Sequence, residues 1–443
     1  MKKACERLRT IRDRLGAPID GASLAAFRIL FGALLAFAMI RFLAKGWVGE
    51  LYVRPSVFFP YEWFQWVKPL PLIAMHLLFV ALAILGACVA LGFHYRISLG
   101  LFLIGFTYVE LIDKTTYLNH YYLISLLCGL MCFLPCHRMW SIDAWLRPSI
   151  RTDYAPRWTV DLLRFQFAAV YVFAGLAKLT PDWLLSAQPL RIWLAARNDL
   201  PAIGPLLDEG WVAYVASWSG AAYDLAIVPL LLHRKTRRIA FGLVVAFHLG
   251  TAILFRIGMF PWLMIIGTLL FFSPGWSRRW MKTSSPAPAI PLLPARPMAV
   301  GTLVFVSLYV AAQLALPLRA FLQPEPSGWT FHGFNWSWRV MLVEKTGQVE
   351  FRAVDPISGG RQHFRATDYL TPRQAGFVAQ DPEMIRALAR HIAAELRQKG
   401  HRNIQVFADA YVSFNGRPAR LMMDPAVDLA ASASGTGIFS CRQ

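Results

Sequence analysis

Residues 164–183 read RFQFAAVYVFAGLAKLTPDW, and this stretch indicates both a membrane protein and the position of its candidate site. The run is apolar and long enough for a helix that crosses a bilayer, yet it contains Lys178 shortly before the helix-stopping Pro181. A charged side chain at the centre of a bilayer costs roughly 3 kcal/mol, so an intramembrane lysine indicates a functional site by default. Two interpretations stand for Lys178: a side chain that reaches water at the helix end, or a buried reactive amine.

The composition places this stretch in an integral membrane protein. Of 443 residues, 56% are hydrophobic and 16% are charged, whereas soluble domains carry roughly 25% charged residues. The formal charge of +19 comes largely from cations in short loops between apolar runs, a pattern of membrane topology that excludes a nucleic-acid partner. We expect the basic start, MKKACERLRTIRDR, to be a cytoplasmic arm and not a cleaved leader.

Apolar runs predict about nine membrane helices, of which the fourth and eighth are short enough to be tilted or re-entrant. They are expected near Ala22–Phe42, Leu72–Leu91, Ile97–Ile112, Tyr117–Leu134, Val160–Leu179, Trp211–Leu232, Ile239–Leu254, Ile257–Phe272 and Pro297–Leu316. With a cytoplasmic N-terminus, cations are more abundant in the inner loops than in the outer ones, as the positive-inside rule requires. An odd number of spans then places the C-terminal part outside the membrane.

The chain divides into four expected parts: an arm (1–20), a catalytic membrane domain (21–275), a linker with the last membrane helix (276–318) and an outer domain (319–443). The outer part is polar, and its patterns predict strands at Arg339–Val343, Val349–Val354 and Ile404–Ser413 and a helix from Pro382 to about Lys399. The Pro- and Ala-rich run Ser284–Pro297 indicates a linker. The expected fold is a polytopic α-helical bundle with a C-terminal extramembrane α+β or β-rich domain.

The six cysteines do not predict a metal site or a disulfide framework. Cys128, Cys132 and Cys136 repeat every four residues and would line one face of a helix, where small apolar fillers are far commoner than a thiol stripe. Cys5 and Cys441 lie at opposite ends of the chain. We therefore expect no metal.

Four polar residues are expected at a common depth, in the outer half of the membrane. Asn119 and His120 open the fourth helix, while Lys178 and His248 lie near the outer ends of the fifth and seventh. Each has a structural alternative: Asn119 and His120 as a helix cap or interface anchor, His248 as a satisfied core histidine. Asp224 is expected to be the structural partner of some buried donor. Because the four agree in depth, together they favour a site.

An amine at that depth has a specific chemical use. Desolvation disfavours the charged form of an amine, which makes it a proton acceptor near neutral pH. The neighbouring sequence is rich in aromatic side chains, which suit a flat, lipid-soluble ring ligand. The residues by themselves therefore indicate an outer-leaflet site with a basic lysine for a hydrophobic substrate. Arg164 and Gln166, at the inner end of the same helix, are expected to be structural.

Six stretches resemble the vitamin K-dependent γ-glutamyl carboxylase family and its bacterial homologues with an HTTM membrane domain. Four lie in the membrane part: DKTTYLNHYYLISLL (Asp113–Leu127), RMWSIDAW (Arg138–Trp145), VYVFAGLAKLTPDW (Val170–Trp183) and FHLGTAILFRIGMFPW (Phe247–Trp262). Two lie in the outer part: SWRVML (Ser337–Leu342) and a run from FADAYVSFNGRP to MMDPAVDL (Phe407–Leu429). The resemblance covers most of the chain in the same order.

The resemblance implies roles for particular residues. Lys178 would be the base that deprotonates vitamin K hydroquinone, with Asn119 and His120 close to the reacting centre. His248, Asn119, His120, Tyr117 and Met259 would contact the hydroquinone. Arg256, which stands where the animal enzymes have a small polar residue, and Trp338 would contact the peptide substrate.

The resemblance also implies the reaction and its partners. Vitamin K hydroquinone, O2 and CO2 are the expected co-substrates, and a glutamate-containing peptide or protein is the expected partner within the lipid bilayer. The proton taken from the hydroquinone starts a reaction with O2 that yields a base strong enough for the glutamate γ-proton; the carbanion captures CO2, and the vitamin leaves as its epoxide. A dry pocket protects that base from water.

Two other functions remain open. The outer domain is shorter than that of the animal enzymes, and a paired lysine of the family is replaced by Ala177 before Lys178. A quinol oxidase or epoxidase without carboxylation is therefore one alternative. A non-catalytic membrane binding or transport-related protein of the same fold is the other. The absence of a recognisable leader favours a bacterial inner membrane over the endoplasmic reticulum as the location.

Overall fold

The computed structural model describes residues 2–255, 257–279, 296–323 and 325–439. Its first part, up to Leu318, is almost entirely helical, and only two three-residue strands, β1 (Pro18–Asp20) and β2 (Tyr154–Pro156), pair within it. The helices of this part are α1 (Lys2–Gly16), α2 (Ala22–Ala44), α3 (Trp47–Tyr52), α4 (Leu72–Leu91), α5 (Tyr95–Ile112), α6 (Asn119–Phe133), α7 (Ile142–Leu146), α8 (Arg157–Ala177), α9 (Pro181–Ser186), α10 (Leu190–Ala195), α11 (Gly204–Leu207), α12 (Gly210–Leu232), α13 (Arg237–Leu254), α14 (Phe260–Thr268) and α15 (Val300–Leu318).

Seven of the described helices are long and apolar enough to cross a membrane: α2, α4, α5, α8, α12, α13 and α15 with the turn that follows it. The predicted fourth and eighth spans are also helices, but both are shorter, at Asn119–Phe133 and Phe260–Phe271. The predicted count of nine spans is therefore not confirmed, although a helix occupies each predicted position. Since a straight span needs about 20 residues, α6 and α14 are too short to cross unaided.

Close packing of α2 against α4 depends on two glycines. A Cβ on Gly32 would lie 2.3 Å from the backbone nitrogen of Ala90, and one on Gly86 would lie 2.6 Å from that of Ala36. Membrane helices associate through such small residues, because lipid gives them little hydrophobic reason to pack. This pair forms one wall of the bundle, and α8 packed against α12 forms another.

The outer domain is an antiparallel sheet covered by helices. Its strands are β3 (Lys345–Val354), β4 (Arg361–Arg365), β5 (Gln405–Phe414) and β6 (Arg420–Leu421), in the spatial order β4-β3-β5-β6. Its helices are α16 (Ser327–Thr330), α17 (Pro372–Val378) and α18 (Pro382–Gln398). Alternate residues of β5, among them Val406, Ala408 and Ala410, pack against the apolar face of α18. Two of the three predicted strands and the predicted helix are confirmed.

The predicted strand at Arg339–Val343 is wrong. The segment has no partner strand among the described residues, and Trp338 and Met341 have positive φ angles of 53° and 54°. Left-handed backbone is uncommon for residues with a Cβ and tends to occur where tertiary contacts hold a functional segment in place. We call residues 336–343 the bridging segment, since this part of the outer domain lies against the start of α6. The predicted linker lies almost wholly in 280–295, outside the described residues.

A carboxylate four residues after Lys178 attaches the outer domain to the bundle. Asp182, in the first turn of α9, accepts hydrogen bonds from Asn415 Nδ2 at 2.8 Å and from Arg417 Nη1 and Nη2 at 2.9 and 2.5 Å. Burial raises the pKa of Asp182, but the bonds from Arg417 and Asn415 outweigh that effect and hold its pKa below the usual value. The contact joins the first turn of α9 to the turn after β5.

Replacement of Arg417 by alanine should loosen the docking of the outer domain by about 1 kcal/mol, because a partly exposed ion pair contributes little more. Hydrogen exchange at the turn after β5 should rise, while an Arg420→Ala variant, which removes another exposed arginine of this domain, should match the wild type.

The same contact should depend on pH. Since the folded pKa of Asp182 is lowered, its contribution to the docking of the outer domain is present at neutral pH and is lost as the pH falls below about 4. This role of Asp182 would be contradicted if hydrogen exchange at the turn after β5 were the same in Arg417→Ala and in wild type at neutral pH, and if it did not rise in wild type below about pH 4.

Candidate active site

Lys178 lies at the end of α8, where the helix stops before Pro181. Thr180 caps the next helix, since its hydroxyl accepts a hydrogen bond from the backbone of Trp183 at 3.4 Å. Lys178 therefore lies in the turn between two helices, but it is only 6% exposed. Its Nζ donates to the Ala174 carbonyl at 3.3 Å and lies 5.3 Å from the centre of the Trp183 ring. The side chain thus turns back into the protein, not outwards to water.

Asp224 of α12 is the partner of this amine. Lys178 Nζ donates to Asp224 Oδ2 at 2.7 Å, and Asp224 is 5% exposed. The expectation that Asp224 accepts from a buried donor is confirmed, and the structure identifies that donor. A buried ion pair is weak evidence for stability alone, because desolvation offsets much of its attraction. Such a pair on two apolar helices therefore calls for a functional explanation.

His248 of α13 lies on the same side of the bundle. It is 2% exposed, and its Nε2 is 2.9 Å from the hydroxyl of Tyr171, which belongs to α8. Its Nδ1 is buried without a hydrogen-bond partner among the described residues. A buried ring nitrogen without a partner is costly, so it indicates a group that a ligand can satisfy. Lys178 and His248 thus both present a polar group from otherwise apolar helices.

These groups line one cavity of about 280 Å³, which we call the lysine cavity. Lys178, Asp224 and His248 supply an amine, a carboxyl group and an imidazole to its lining, and most of its remaining lining is apolar or aromatic. That lining includes Val170, Tyr171, Ala174, Trp183, Ala246, Phe247, Leu254, Phe255, Ile257, Phe260, Met264, Val340 and Met341. An apolar chamber with a few convergent polar groups is the usual form of a small-molecule site.

Asn119 and His120 line a different, larger cavity of about 890 Å³, which we call the outer chamber. The structure therefore does not place all four predicted residues in one cavity. The two cavities adjoin, because five residues line both: Phe255, Ile257, Phe260, Val340 and Met341. The ring of Phe260 lies 6.3 Å from that of His120 and 6.0 Å from that of His248, so it stands between the two histidines.

Tyr117 and Asn119 hold the bridging segment. The Tyr117 hydroxyl accepts a hydrogen bond from the Trp336 backbone at 2.8 Å and donates to Asn119 Oδ1 at 3.2 Å. Asn119 Nδ2 in turn donates to the Arg339 carbonyl at 3.1 Å. These bonds place Val340 and Met341 in the shared wall of the two cavities. Tyr117 itself is not among the residues that line the described cavities.

The other predicted residues lie beside the cavities. Trp338 is fully buried against Tyr122, with ring centres 5.0 Å apart, and its indole nitrogen lacks a partner among the described residues. Met259 is buried at the start of α14. Neither belongs to the lining of the described cavities. Arg256 lies outside the described residues.

The remaining polar residues of the sequence analysis have structural roles. Arg164 donates to the carbonyls of Leu270 and Phe272, and Gln166 accepts from the Tyr309 hydroxyl. The predicted cysteine stripe is incomplete, since α6 ends at Phe133, before Cys136. The described residues contain no group of His, Cys, Asp and Glu able to hold a metal ion.

Gly258 lies in the turn before α14 and packs against His120 of the outer chamber. Its φ of +64° is one that only glycine adopts easily, and a Cβ there would lie 3.4 Å from His120 Nε2. A Gly258→Ala variant should therefore lose about 1–3 kcal/mol of stability through backbone strain, and it should lower turnover because the strained turn contacts His120. A helical glycine with no neighbour within 4 Å, Gly242, provides the matched Gly→Ala control. Thermal unfolding and turnover equal to those of Gly242→Ala would contradict the prediction.

Sequence reasoning missed three features of this site. The pairing of Asp224 with Lys178 required the rotation of α12 against α8, which hydrophobic periodicity does not give. Val340 and Met341 were assigned to a strand and not to a cavity wall. Arg41, near the end of α2, was not singled out, although it lines the outer chamber beside His120. A cation in the last turn of an apolar helix was the only signal that could have found it.

Two parts of the chain match known families. Residues 17–276 match the HTTM domain, and residues 299–436 match the vitamin K-dependent gamma-carboxylase, lumenal domain. No solved structure gives a significant match to the chain. The first match covers the bundle that carries Lys178, Asp224 and His248, and the second covers the bridging segment and the outer domain. The chain therefore belongs to the vitamin K-dependent gamma-glutamyl carboxylase family.

Proposed function

We propose that this protein carboxylates glutamate side chains in a reaction driven by the oxidation of vitamin K hydroquinone, as a carbon–carbon lyase. The observation that carries the proposal is the buried amine of Lys178 in an apolar cavity, 2.7 Å from Asp224 and on the same cavity as His248. One atom of O2 enters the vitamin epoxide and the other leaves as water, while the γ-hydrogen of glutamate is replaced by CO2.

The lysine cavity fits a reduced quinone ring. The fit rests on the apolar and aromatic lining and on the unsatisfied His248 Nδ1, a buried atom that a ring hydroxyl could satisfy. Lys178 and His248 would hold the polar edge of the ring. When bound, the hydroquinone supplies, together with O2, the strong base that a glutamate γ-proton requires.

The Lys178–Asp224 pair can accept a proton. A lysine amine is a base only when it is neutral, and beside Asp224 this form exists when the single proton of the pair lies on the carboxyl group. Uptake of a second proton by Nζ gives an ammonium beside a neutral acid. This pair has a net positive charge and would face the ring oxygen that has lost its proton. The low dielectric of the cavity strengthens that attraction. Lys178 is thus proposed as the catalytic base and Asp224 as its positioning residue.

Water exclusion is the second requirement of this chemistry. Within the described part of the chain, the lysine cavity adjoins the outer chamber only along a wall of aromatic and aliphatic side chains, which include Val340 and Met341 of the bridging segment. His120 and Asn119 lie on the outer-chamber side of that wall, and we assign them to the glutamate half of the reaction. In this arrangement, the two half-reactions use adjoining chambers, and the strong base need not cross water.

A second function, quinol oxidation without carboxylation, is favoured by one observation. Lys178, Asp224 and His248 line the lysine cavity without any contribution from Asn119 or His120 to its lining. Proton removal from a quinol could therefore proceed even if the outer chamber received no glutamate.

We place the N-terminus in the cytoplasm and the outer domain on the opposite face, most simply in a bacterial inner membrane. The charge distribution of the loops supports this orientation. The peptide substrate would then reach the outer chamber from the external face, while the quinone would enter from the bilayer.

One experiment separates these functions. Purified full-length protein is given reduced vitamin K, O2, labelled bicarbonate and a glutamate-rich peptide, and both vitamin epoxide and label in the peptide are followed. Both products together support the carboxylase, and epoxide without label supports the oxidase. If neither product forms with any quinol, the proposed enzyme is rejected and a non-catalytic binding protein is favoured.

A further inference from the structure

The outer chamber carries charges that the chemistry of the lysine cavity does not use. Arg41, near the outer end of α2, and Arg373, from the outer domain, both line it, as does one carboxylate, Glu50 of α3. No ion pair joins Arg41 to Glu50 among the described residues. The chamber therefore has an excess of positive charge contributed by both parts of the chain.

Two buried nitrogens of this chamber lack a hydrogen-bond partner among the described residues: Arg41 Nε and His120 Nε2. They belong to one small region, because a Cβ built on Gly258 would lie 3.4 Å from His120 Nε2 and 3.8 Å from Arg41 Nη2. His120 is only 5% exposed, so bulk water does not easily satisfy it. Buried nitrogens left without a partner are costly and point to a ligand that completes them.

A carboxylate has the chemistry that this region recognises. The planar guanidinium of Arg41 presents a fork of N–H donors, which matches the two oxygens of a carboxylate. The face of Trp47, 5.0 Å from the Arg41 guanidinium carbon, holds that guanidinium in place. Arg373 adds a second cation from the side of the outer domain, where a peptide would enter, and Glu50 limits the excess to a single charge.

We infer that Arg41, with Arg373, binds the side-chain carboxylate of an acidic peptide in the outer chamber, beside His120. This inference rests on the proposed function and assigns the glutamate to a chamber different from that of the quinone. The side chain then lies against the wall formed by Phe260 and Met341, on whose other side Lys178 and His248 act. Such a division brings the glutamate γ-carbon to the wall while its carboxylate stays outside the lysine cavity.

The test measures binding without turnover. Full-length protein in detergent is titrated with a fluorescent glutamate-containing peptide and with the same peptide carrying glutamine, in the absence of quinone. Wild type should bind the glutamate peptide about 10-fold more tightly, and Arg41→Gln should abolish that difference. Arg373→Gln, an exposed position that should not affect folding, should reduce it. Arg54→Gln, an exposed arginine just after α3, is the matched control and should bind as wild type does.

Three results would overturn the inference. Equal affinity of wild type for the two peptides would show that no carboxylate is recognised. A preference for glutamate that persists in Arg41→Gln, while Arg54→Gln behaves as wild type, would place the carboxylate elsewhere. Competition by bicarbonate against both peptides alike would mean that the bound anion is the small co-substrate and not the side chain.

Failure here is distinguishable from failure of the proposed function. The rate of vitamin epoxide formation in the absence of peptide depends on the lysine cavity alone. This rate should be the same in Arg54→Gln and in wild type. If wild type forms no epoxide but still discriminates between the peptides, the carboxylate site stands and the proposed enzyme fails. If epoxide forms and the peptides bind equally, only the carboxylate site is rejected.

Discussion

A Lys178→Met variant is expected to lose both vitamin epoxide and carboxylated peptide by about 10²–10⁴-fold, the range that a positioned general base contributes. Methionine keeps the apolar length of the side chain but removes the amine that donates to Asp224 at 2.7 Å. Removing one member of a buried ion pair also leaves the other charge uncompensated, at a cost of about 3–5 kcal/mol. Loss of activity by this variant alone could therefore reflect misfolding.

Two matched variants separate catalysis from stability. Lys178→Arg keeps a cation beside Asp224, but a guanidinium remains protonated and cannot accept a proton, so stability should be largely kept while both products are lost. The double variant Lys178→Met/Asp224→Asn removes both charges and should recover most of the stability lost in Lys178→Met, without recovering turnover. Thermal unfolding of the purified protein and chromatographic quantification of epoxide provide the two measurements. Epoxide formation by Lys178→Arg at the wild-type rate would show that Lys178 is only an ion-pair partner.

The helices of the bundle could be predicted from the sequence because length and hydropathy alone determine what crosses a bilayer. The run near 72–91 was predicted to the residue, and α8 within three residues at each end. The two short spans, α6 and α14, were recognised as irregular, since neither run reaches the thickness of a bilayer. The polar composition after Pro317 predicted a separate C-terminal domain, and its helix α18 followed from the spacing of apolar residues.

The contacts between helices could not be predicted in the same way. A helix that is apolar all round has no distinct hydrophobic face, so the sequence does not say which of its residues turns towards a given neighbour. Lys178 and His248 were expected to agree in depth, and they do line one cavity. Depth could not show that Phe260 and Met341 separate them from His120, because those residues come from a distant helix and from the outer domain.

The bridging segment shows how tertiary contacts override a local pattern. Residues 339–343 read RVMLV, which is typical of a strand. In the structure Asn119 donates to the Arg339 carbonyl, and Met341 adopts a φ of +54°. The carbonyl that a neighbouring strand would have bound is bound instead by the start of α6. Strand propensity depends on a partner strand, and none of the described strands lies beside this segment.

Replacement of Asp224 by asparagine should lower vitamin epoxide and carboxylated peptide together, by about 10–100-fold, and leave their ratio unchanged. The amine remains in the lysine cavity, but it loses the carboxyl group that orients it and holds the first proton of the pair, an effect of a few kcal/mol on a positioned group. Asp224→Glu, which keeps the charge with a longer side chain, should recover part of the rate. Asparagine also leaves no unpaired carboxylate in the cavity, so the loss of stability should be smaller than in Lys178→Met.

The ratio of the two products tests the assignment of Asp224 to the quinol half of the reaction. Asp224 lines only the lysine cavity, so its loss should affect the first proton transfer and, through it, both products equally. His120 lines only the outer chamber, and His120→Ala should therefore reduce labelled peptide more than epoxide. If Asp224→Asn instead uncoupled the two products, the carboxylate would act on the glutamate side, and the division between the two chambers would be wrong. If the yield of both products fell in proportion to the thermal stability of Asp224→Asn and Asp224→Glu, Asp224 would have only a structural role.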